Sequence, residues 1–459
     1  MITLEIVFNK VQMKNKFKYF FFLLFFALTS CSFDKKSGLW DGYEEELERV
    51  TELERQSKII SSKIFSSEDT FAQIIPIKNN IVLEKPQKNN DWLMPGSNLQ
   101  NLTGNLYLRS INNIFLKKKV GKDKFDLYQK MQAPLFFKNN IVASDDRGSI
   151  KKVNKDGDAY WSINIYKKIY KKLYKNLTFA LYEDKVFVAD NIGFIYVINY
   201  ENGELIWKKN FGIPFKSNIR IYKNKIFVID QDNRILCLDS TNGDLIWDIR
   251  TIETFIKSQN LLGLAISKDG ILIALNSAGD LFKIDTNTGR IFWTINTLYS
   301  LSKYESDFFK SSDIVIDGVD IIFSSASSTF SINIENGYTN WIVKPRSSNR
   351  PIVVKKAIFL VTDNGYLVSL DRKSGKILFS SDILKVLKKK AKAKAKISGY
   401  IMGSNKIYIT TSNGYLIVCS YRGELEGYER IAKSINTSPV ITDGELYVLS
   451  SNSKIIGFR

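Results

Sequence analysis

The chain has no histidine at all and three cysteines in 459 residues. The first absence removes the commonest general base, the commonest zinc ligand and every Ser-His or Cys-His nucleophile pair. The second leaves little for metal or disulfide chemistry. Cys31 stands near the N-terminus, while Cys237 and Cys419 fall on widely separated segments with neither metal-ligand spacing nor an obvious pairing. A long apolar run is also missing: the stretch from Tyr19 to Leu28 falls well short of the roughly 20 residues a spanning helix needs. No catalytic residue, cofactor or metal site is expected.

What is abundant is positive charge and strand-forming residues. Lys and Arg number 66 against 47 Asp and Glu, a formal net charge of +19. Such an excess can indicate nucleic acid or an anionic surface as partner. No nucleic-acid-binding motif accompanies it, and the lysines are spread along the whole chain, so no nucleic-acid partner is expected and the charge reads as a general basic surface. Hydrophobic residues make up 44% and aromatics 13%, ample for a core, and the Tyr, Phe and Ile content favours strands.

From Met13, the expected true start, a basic stretch (Lys14, Lys16, Lys18) leads into the apolar run and then into Leu28-Thr29-Ser30-Cys31. Residues 1–30 therefore read as a signal peptide. Its last four residues resemble a bacterial lipobox, which implies transfer of a diacylglyceryl group to the Cys31 sulfur before cleavage. Ser32, rather than Asp, at the next position implies the outer rather than the inner membrane. One acyl chain holds a protein to a bilayer only marginally, so stable anchoring implies several chains on Cys31. Residues 31–90 are polar and charged without sustained strand alternation; they read as a lipidated tether, largely disordered or with one short helix.

Beyond it one motif recurs. Asn202-Gly203-Glu-Leu-Ile-Trp207, Asn242-Gly243-Asp-Leu-Ile-Trp247, Thr288-Gly289-Arg-Ile-Phe-Trp293 and Asn336-Gly337-Tyr-Thr-Asn-Trp341 are four clear copies. Gly157 with Trp161, Gly375 with Phe379, and a degenerate copy opened by Gly423 complete the series at spacings of 38 to 48 residues, the size of a four-stranded propeller blade. Four residues before the glycine stands Asn199, Asp239, Asp285, Asn333 or Asp371, whose side chain can cap the turn, while Gly supplies the positive φ of a short hairpin. A Trp at one fixed offset in each copy is best explained by packing between adjacent blades. The final unit, from Ser438 to Arg459, stops before its own hairpin. Its missing outer strand is expected from Gly104–Leu108 or Ile114–Leu116, which would close the ring by joining the chain ends. The expected fold is all-β: an eight-bladed β-propeller of four-stranded antiparallel blades over residues 91–459.

These repeats resemble the pyrroloquinoline-quinone-like propeller repeat, with Cys237-Leu238-Asp239 through Trp247 a close match. Together with the lipobox and the lead-in Asp91-Trp92-Leu-Met-Pro95-Gly96-Ser-Asn98, residues 91–459 resemble the BamB lipoproteins of the outer-membrane β-barrel assembly machinery. The resemblance implies a non-enzymatic scaffold on the periplasmic face of a Gram-negative outer membrane. It would be a monomer within a hetero-complex, binding a BamA-like barrel-assembly subunit, other assembly lipoproteins and nascent barrel substrates through loops at one rim. The family's partner-contacting residues cannot be carried over, because those loops differ here in length and composition. Quinoprotein dehydrogenases share this propeller, but they use adjacent cysteines and a calcium site, and this chain has no Cys-Cys pair. A periplasmic propeller docking another partner or a glycan is the third reading.

Two basic segments lie between blades. In Tyr166 to Lys175, the residues Tyr166, Ile169, Tyr170, Leu173 and Tyr174 share one helical face, which predicts a short amphipathic helix. The other, Lys385 to Lys396, carries Lys388, Lys389, Lys390, Lys392, Lys394 and Lys396. Contact with anionic headgroups or an acidic partner surface is the functional reading; a solvated loop is the plain one.

Overall fold

The computed structural model describes residues 46–53, 71–77, 80–123, 130–254, 258, 260–298, 310–325 and 328–459. The expected signal peptide and Cys31 lie outside the described residues. Two compact units are distinguished, a small one within residues 1–62 and 166–173 and a large one comprising 63–165 and 174–459. The small unit contains a helix over residues 46–53 and a 3-10 turn, Lys168–Lys172. Within it Arg49 pairs with Glu46 at 2.7 Å, and the buried Tyr170 donates its hydroxyl to the same carboxylate. Among the described residues no helix is long and apolar enough to cross a membrane.

The large unit is an eight-bladed propeller of four-stranded antiparallel sheets. Residues 135–163, 177–210, 220–249, 264–296, 315–343, 352–382 and 397–430 form blades one to seven, each with its strands side by side in chain order. The first strands of neighbouring blades touch one another around the centre, as Arg220–Tyr222 does with Leu177–Tyr182 and Leu264–Ile266. Blade eight joins the chain ends: Val440–Thr442, Glu445–Leu449 and Lys454–Phe458 are completed by Ile114–Lys119, antiparallel to the last. Of the two candidate closing segments, 114–116 supplies the strand. Leu106, in the other, makes isolated parallel bridges to Gln87 and Gly403 instead.

Position in the blade explains the residue pattern. Second strands such as Ala357–Val361 (AIFLV) are buried on both sides and are continuously apolar. Outer strands such as Ile291–Asn296 (IFWTIN) expose alternate residues. The core is accordingly a series of layers between neighbours. Val197, Ile226 and Val228 unite blades two and three, and Ile273, Ile321 and Phe323 unite blades four and five.

Strand direction sorts the loops. First and third strands run one way, second and fourth the other, so the crossings from each outer strand to the next inner strand share one face with the turns joining second and third strands. The opposite face carries the turns joining first and second strands and the Gly-x-x-x-Trp hairpins. We call these the crossing face and the hairpin face.

Part of the stretch expected as tether lies against the blades. The Phe71 ring meets Tyr366 edge-on at 6.2 Å, Ile75 exchanges backbone hydrogen bonds of 3.0 and 2.9 Å with Ser380, and Ile81 joins the core shared by blades six and seven. Three separated apolar residues are enough to anchor a segment whose average composition is polar.

Candidate functional site

The repeated hairpin is a latch between blades. In each of blades one to seven, one extra residue bulges the outer strand just before the Trp, Phe or Gly427 position, as Ile206 does where Val197 faces Trp207 and Ile198 faces Leu205. The bulge re-aims the aromatic ring along the blade edge. Trp161 then donates its indole N–H to the Tyr200 carbonyl of blade two at 2.9 Å; Trp207, Trp247, Trp293 and Trp341 make the same bond to Ser240, Thr286, Ile334 and Arg372 at 3.2, 3.3, 3.1 and 2.9 Å. Each acceptor lies three residues before the next blade's motif glycine, at Gly203, Gly243, Gly289, Gly337 or Gly375. Those glycines have φ between +71° and +76°, and a Cβ on any of them would fall 2.6 to 3.1 Å from the preceding indole. Phe379 packs on Gly423 in the same way but has no N–H to give.

The turn caps act as their chemistry requires. Asp285 Oδ1 accepts the N–H groups of Asn287 and Thr288 at 2.8 Å each, and Asn199, Asp239, Asn333 and Asp371 cap their own turns similarly. In blade seven the hairpin is one residue shorter, so Ser420 takes the capping role and the neighbouring Cys419 is buried in its strand. Burial pushes the thiols of Cys237 and Cys419 up to about 12. Among the described residues no group of three or more His, Cys, Asp or Glu side chains could hold a metal ion.

At the hairpin face the lead-in crosses the centre of the ring. The Trp92 and Phe136 backbones exchange hydrogen bonds of 2.8 and 3.0 Å, and the Leu93 carbonyl accepts from Leu181 N–H at 2.7 Å. The Leu99 and Gln100 carbonyls accept from Ile266 and Ile316 N–H, each at 2.9 Å, and Leu106 N–H donates to Met402 at 3.2 Å. Asn89 Nδ2 donates to the Ile441 carbonyl at 3.1 Å. The inner strands would otherwise present unpaired edges to the central channel; the lead-in supplies partners for them.

One fully buried arginine fastens this strap. Arg220 donates to the Leu264 and Pro95 carbonyls at 3.1 and 3.0 Å and to Asn101 Oδ1. Asn101 itself donates to the Leu264 and Ile314 carbonyls at 3.2 and 2.7 Å. Asp313 Oδ2 lies 3.8 Å from Arg220 and accepts from Arg350 and Asn218 at 3.0 and 3.2 Å. Burial lowers the Arg220 pKa to about 10, with Asp313 opposing the shift. Nearby, Lys130 donates to Asn349 Oδ1 at 2.5 Å.

The lysine-rich segment crosses from blade six to blade seven. Leu384 and Leu387 are buried, Ala391 and Ala395 pack on the same core cluster, and the short helix Lys389–Lys392 holds the lysines outward. Lys388, Lys389, Lys390, Lys394 and Lys396 are exposed, whereas Lys392 pairs with Asp382 at 2.6 Å.

A family model described as outer membrane protein assembly factor BamB matches residues 146–381, from blade one to the outer strand of blade six. The chain belongs to the BamB family. A curated BamB of Legionella pneumophila (strain Paris) is 23% identical over 192 residues, covering 41% of this chain and 48% of that protein, so the match spans about half of the relative's length. The crystal structure of BamB from Moraxella catarrhalis superposes with a TM-score of 0.61 at 14% identity, over 75% of this chain and all of that one. A europium-containing methanol dehydrogenase superposes equally well, with a TM-score of 0.62 at 9% identity over 78% of this chain and 89% of that one. Likeness at such identities shows the propeller fold alone.

Within this BamB-family propeller the sequence reading missed three features. The strap fastened by Arg220, Asn101 and Asp313 was legible only as the Trp92-Pro95-Gly96 lead-in of the family resemblance, with no place in the fold; Gly96 has φ +87°, and a Cβ there would collide with Asn101. At the closure, Lys118 takes the place of the aromatic ring, its side chain lying against Gly157 and its Nζ 3.6 Å from Asp158. Ser420, the third, carries a cap one residue off the repeat.

Proposed function

We propose that the protein is a non-enzymatic scaffold of outer-membrane β-barrel protein assembly, anchored at Cys31 to the periplasmic face of the outer membrane and docking a BamA-like barrel-assembly subunit through loops at one rim. Membership of the BamB family carries this reading. The latch geometry supports it: Trp161, Trp207, Trp247, Trp293 and Trp341 are all engaged in holding neighbouring blades, so the signature shared with quinone-binding propellers is accounted for by packing. The strap through Trp92, Leu99 and Leu106 occupies the hairpin-face mouth of the channel with the chain's own backbone. Residues 1–30 act as the signal peptide, and the helix over 46–53 belongs to the linker that follows the acylated cysteine.

Depletion of the protein in its own cells tests the role. Folded barrel proteins, scored by the heat-dependent mobility of their outer-membrane fraction, are expected to fall and to recover with the wild-type chain but not with Cys31→Ala. Unchanged barrel-protein levels after depletion would count against the reading.

A further inference from the structure

The positive charge of the ring is sorted between its two faces. On the crossing face Lys122, Arg250, Lys344 and Lys433 are exposed on four separate segments, and Lys388, Lys389, Lys390 and Lys394 on a fifth. Among the described acids of its crossings and turns only Glu253 is exposed; the others are buried or half-buried. Asp145 accepts backbone N–H groups at its own turn, Asp230 does the same, Asp313 holds Arg350, and Asp363 accepts from Ser348 and faces Arg346. Asp123, likewise, is tied to Ser453 and the Asp146 N–H. On the hairpin face, by contrast, acids accompany the lysines: Lys138 sits between the exposed Asp184 and Glu201, and Lys155 pairs with the half-buried Asp443. That face carries exposed charges of both signs.

Apolar side chains mark a second contrast. Among the described crossings Ile252 is the one large hydrophobic residue with an exposed side chain. Specific protein partners are gripped by buried aromatic and aliphatic anchors inside a polar rim, and among its described residues the crossing face offers almost none. A spread of long, outward lysines without an apolar centre suits a partner whose negative charges can rearrange to meet them, which is the surface of an anionic bilayer.

We propose that the crossing face rests electrostatically on anionic lipid headgroups, leaving the hairpin face with its strap turned away from the bilayer. The inference does not depend on the identity of the assembly partner, so its failure would leave the scaffold reading intact. Each lysine near an anionic surface strengthens binding about fivefold, and the effect is screened by salt.

The test uses the full chain with vesicles of phosphatidylcholine alone and vesicles in which a third of the lipid is phosphatidylglycerol, measured by co-sedimentation at low and high salt. Two variants lose the same charge. One carries Lys388→Gln, Lys389→Gln, Lys390→Gln and Lys394→Gln on the crossing face. The other carries Lys223→Gln, Lys268→Gln, Lys355→Gln and Lys373→Gln, all exposed on the hairpin face. Zwitterionic vesicles report any contribution of the apolar N-terminus, which all the chains share. The expected result is salt-sensitive preference for the anionic vesicles, reduced at least about a hundredfold in the first variant and unchanged in the second. Equal loss in both variants, no loss in the first, or equal binding to the two lipids overturns the proposal; circular dichroism of both variants confirms that they fold alike.

Discussion

Trp207 of blade two donates its indole N–H to the Ser240 carbonyl of blade three at 3.2 Å, and the same ring lies beneath Gly243, where a Cβ would fall 2.7 Å from it. Two blades are thus joined by a ring that needs both a carbonyl and a missing side chain opposite. Replacing Trp207 by Ala removes the packing and should cost about 3 to 5 kcal/mol. Trp207→Phe keeps most of the packing, as Phe379 does in blade six, and should cost about 1 kcal/mol for the lost hydrogen bond. Gly243→Ala should cost more than about 1 kcal/mol from its left-handed φ alone, before the collision with the indole. Urea unfolding of the three variants gives the order.

Arg220 is the second test of a named contact. Its guanidinium satisfies two backbone carbonyls and Asn101 at once, so Arg220→Ala would leave these groups and Asp313 buried without it. The expected loss is about 3 to 5 kcal/mol, the range found when one partner of a buried pair is removed. Hydrogen exchange should localise the effect: amides that meet the strap, such as those of Ile266 and Ile316, should exchange faster than those of the second strands. Equal protection at both would contradict the strap's role.

Stability should have its maximum on the acid side of neutrality. Burial raises the pKa of Asp123 and of Asp230 to about 6, so the folded chain holds these protons more tightly than the unfolded one. Their contribution is fully present below the ordinary carboxylate range and is lost as pH rises through 6. With no histidine in the chain, few other side chains titrate in this window. The turn caps act the other way. Hydrogen bonds from Thr241, Thr288 and Ser374 hold Asp239, Asp285 and Asp371 below their usual range, so their contribution is present at neutral pH and lost on strong acidification. The urea midpoint should therefore rise from pH 7 to pH 5 and fall at lower pH, and the double variant Asp123→Asn, Asp230→Asn should flatten the first limb.

Cys237 and Cys419 should not react with thiol reagents in the native chain. Both are fully buried, and burial holds their pKa near 12, leaving almost no thiolate at neutral pH. Labelling in denaturant and its absence in native buffer, read by peptide mass spectrometry, checks this. Rapid native labelling at either position would contradict the packing of its strand.

What could be read from the sequence follows from where each feature keeps its information. The hairpin carries its own in residue type: Gly203 for φ, Asn199 for the cap, Trp207 for the neighbouring blade, repeated often enough to count blades. Closure was narrowed to two segments because both 104–108 and 114–116 alternate like strands; pairing with Lys454–Phe458 is settled by register, which a lone strand does not display. The strap was hidden because most of its bonds run between backbone groups, and Arg220 looks like any charged residue at a strand start until its burial is seen. Charge sorting was hidden for a similar reason. Lysines are dense everywhere in the chain, and only the direction of the strands tells which of them share a face.

The central claim is that this BamB-family propeller is a docking scaffold, and crosslinking in its own envelope tests that most directly. The protein, tagged at its C-terminus and crosslinked before solubilisation, should bring down the barrel-assembly subunit in amounts comparable to itself. Recovery of the tagged chain without that subunit, or with an unrelated periplasmic partner in its place, would contradict the account.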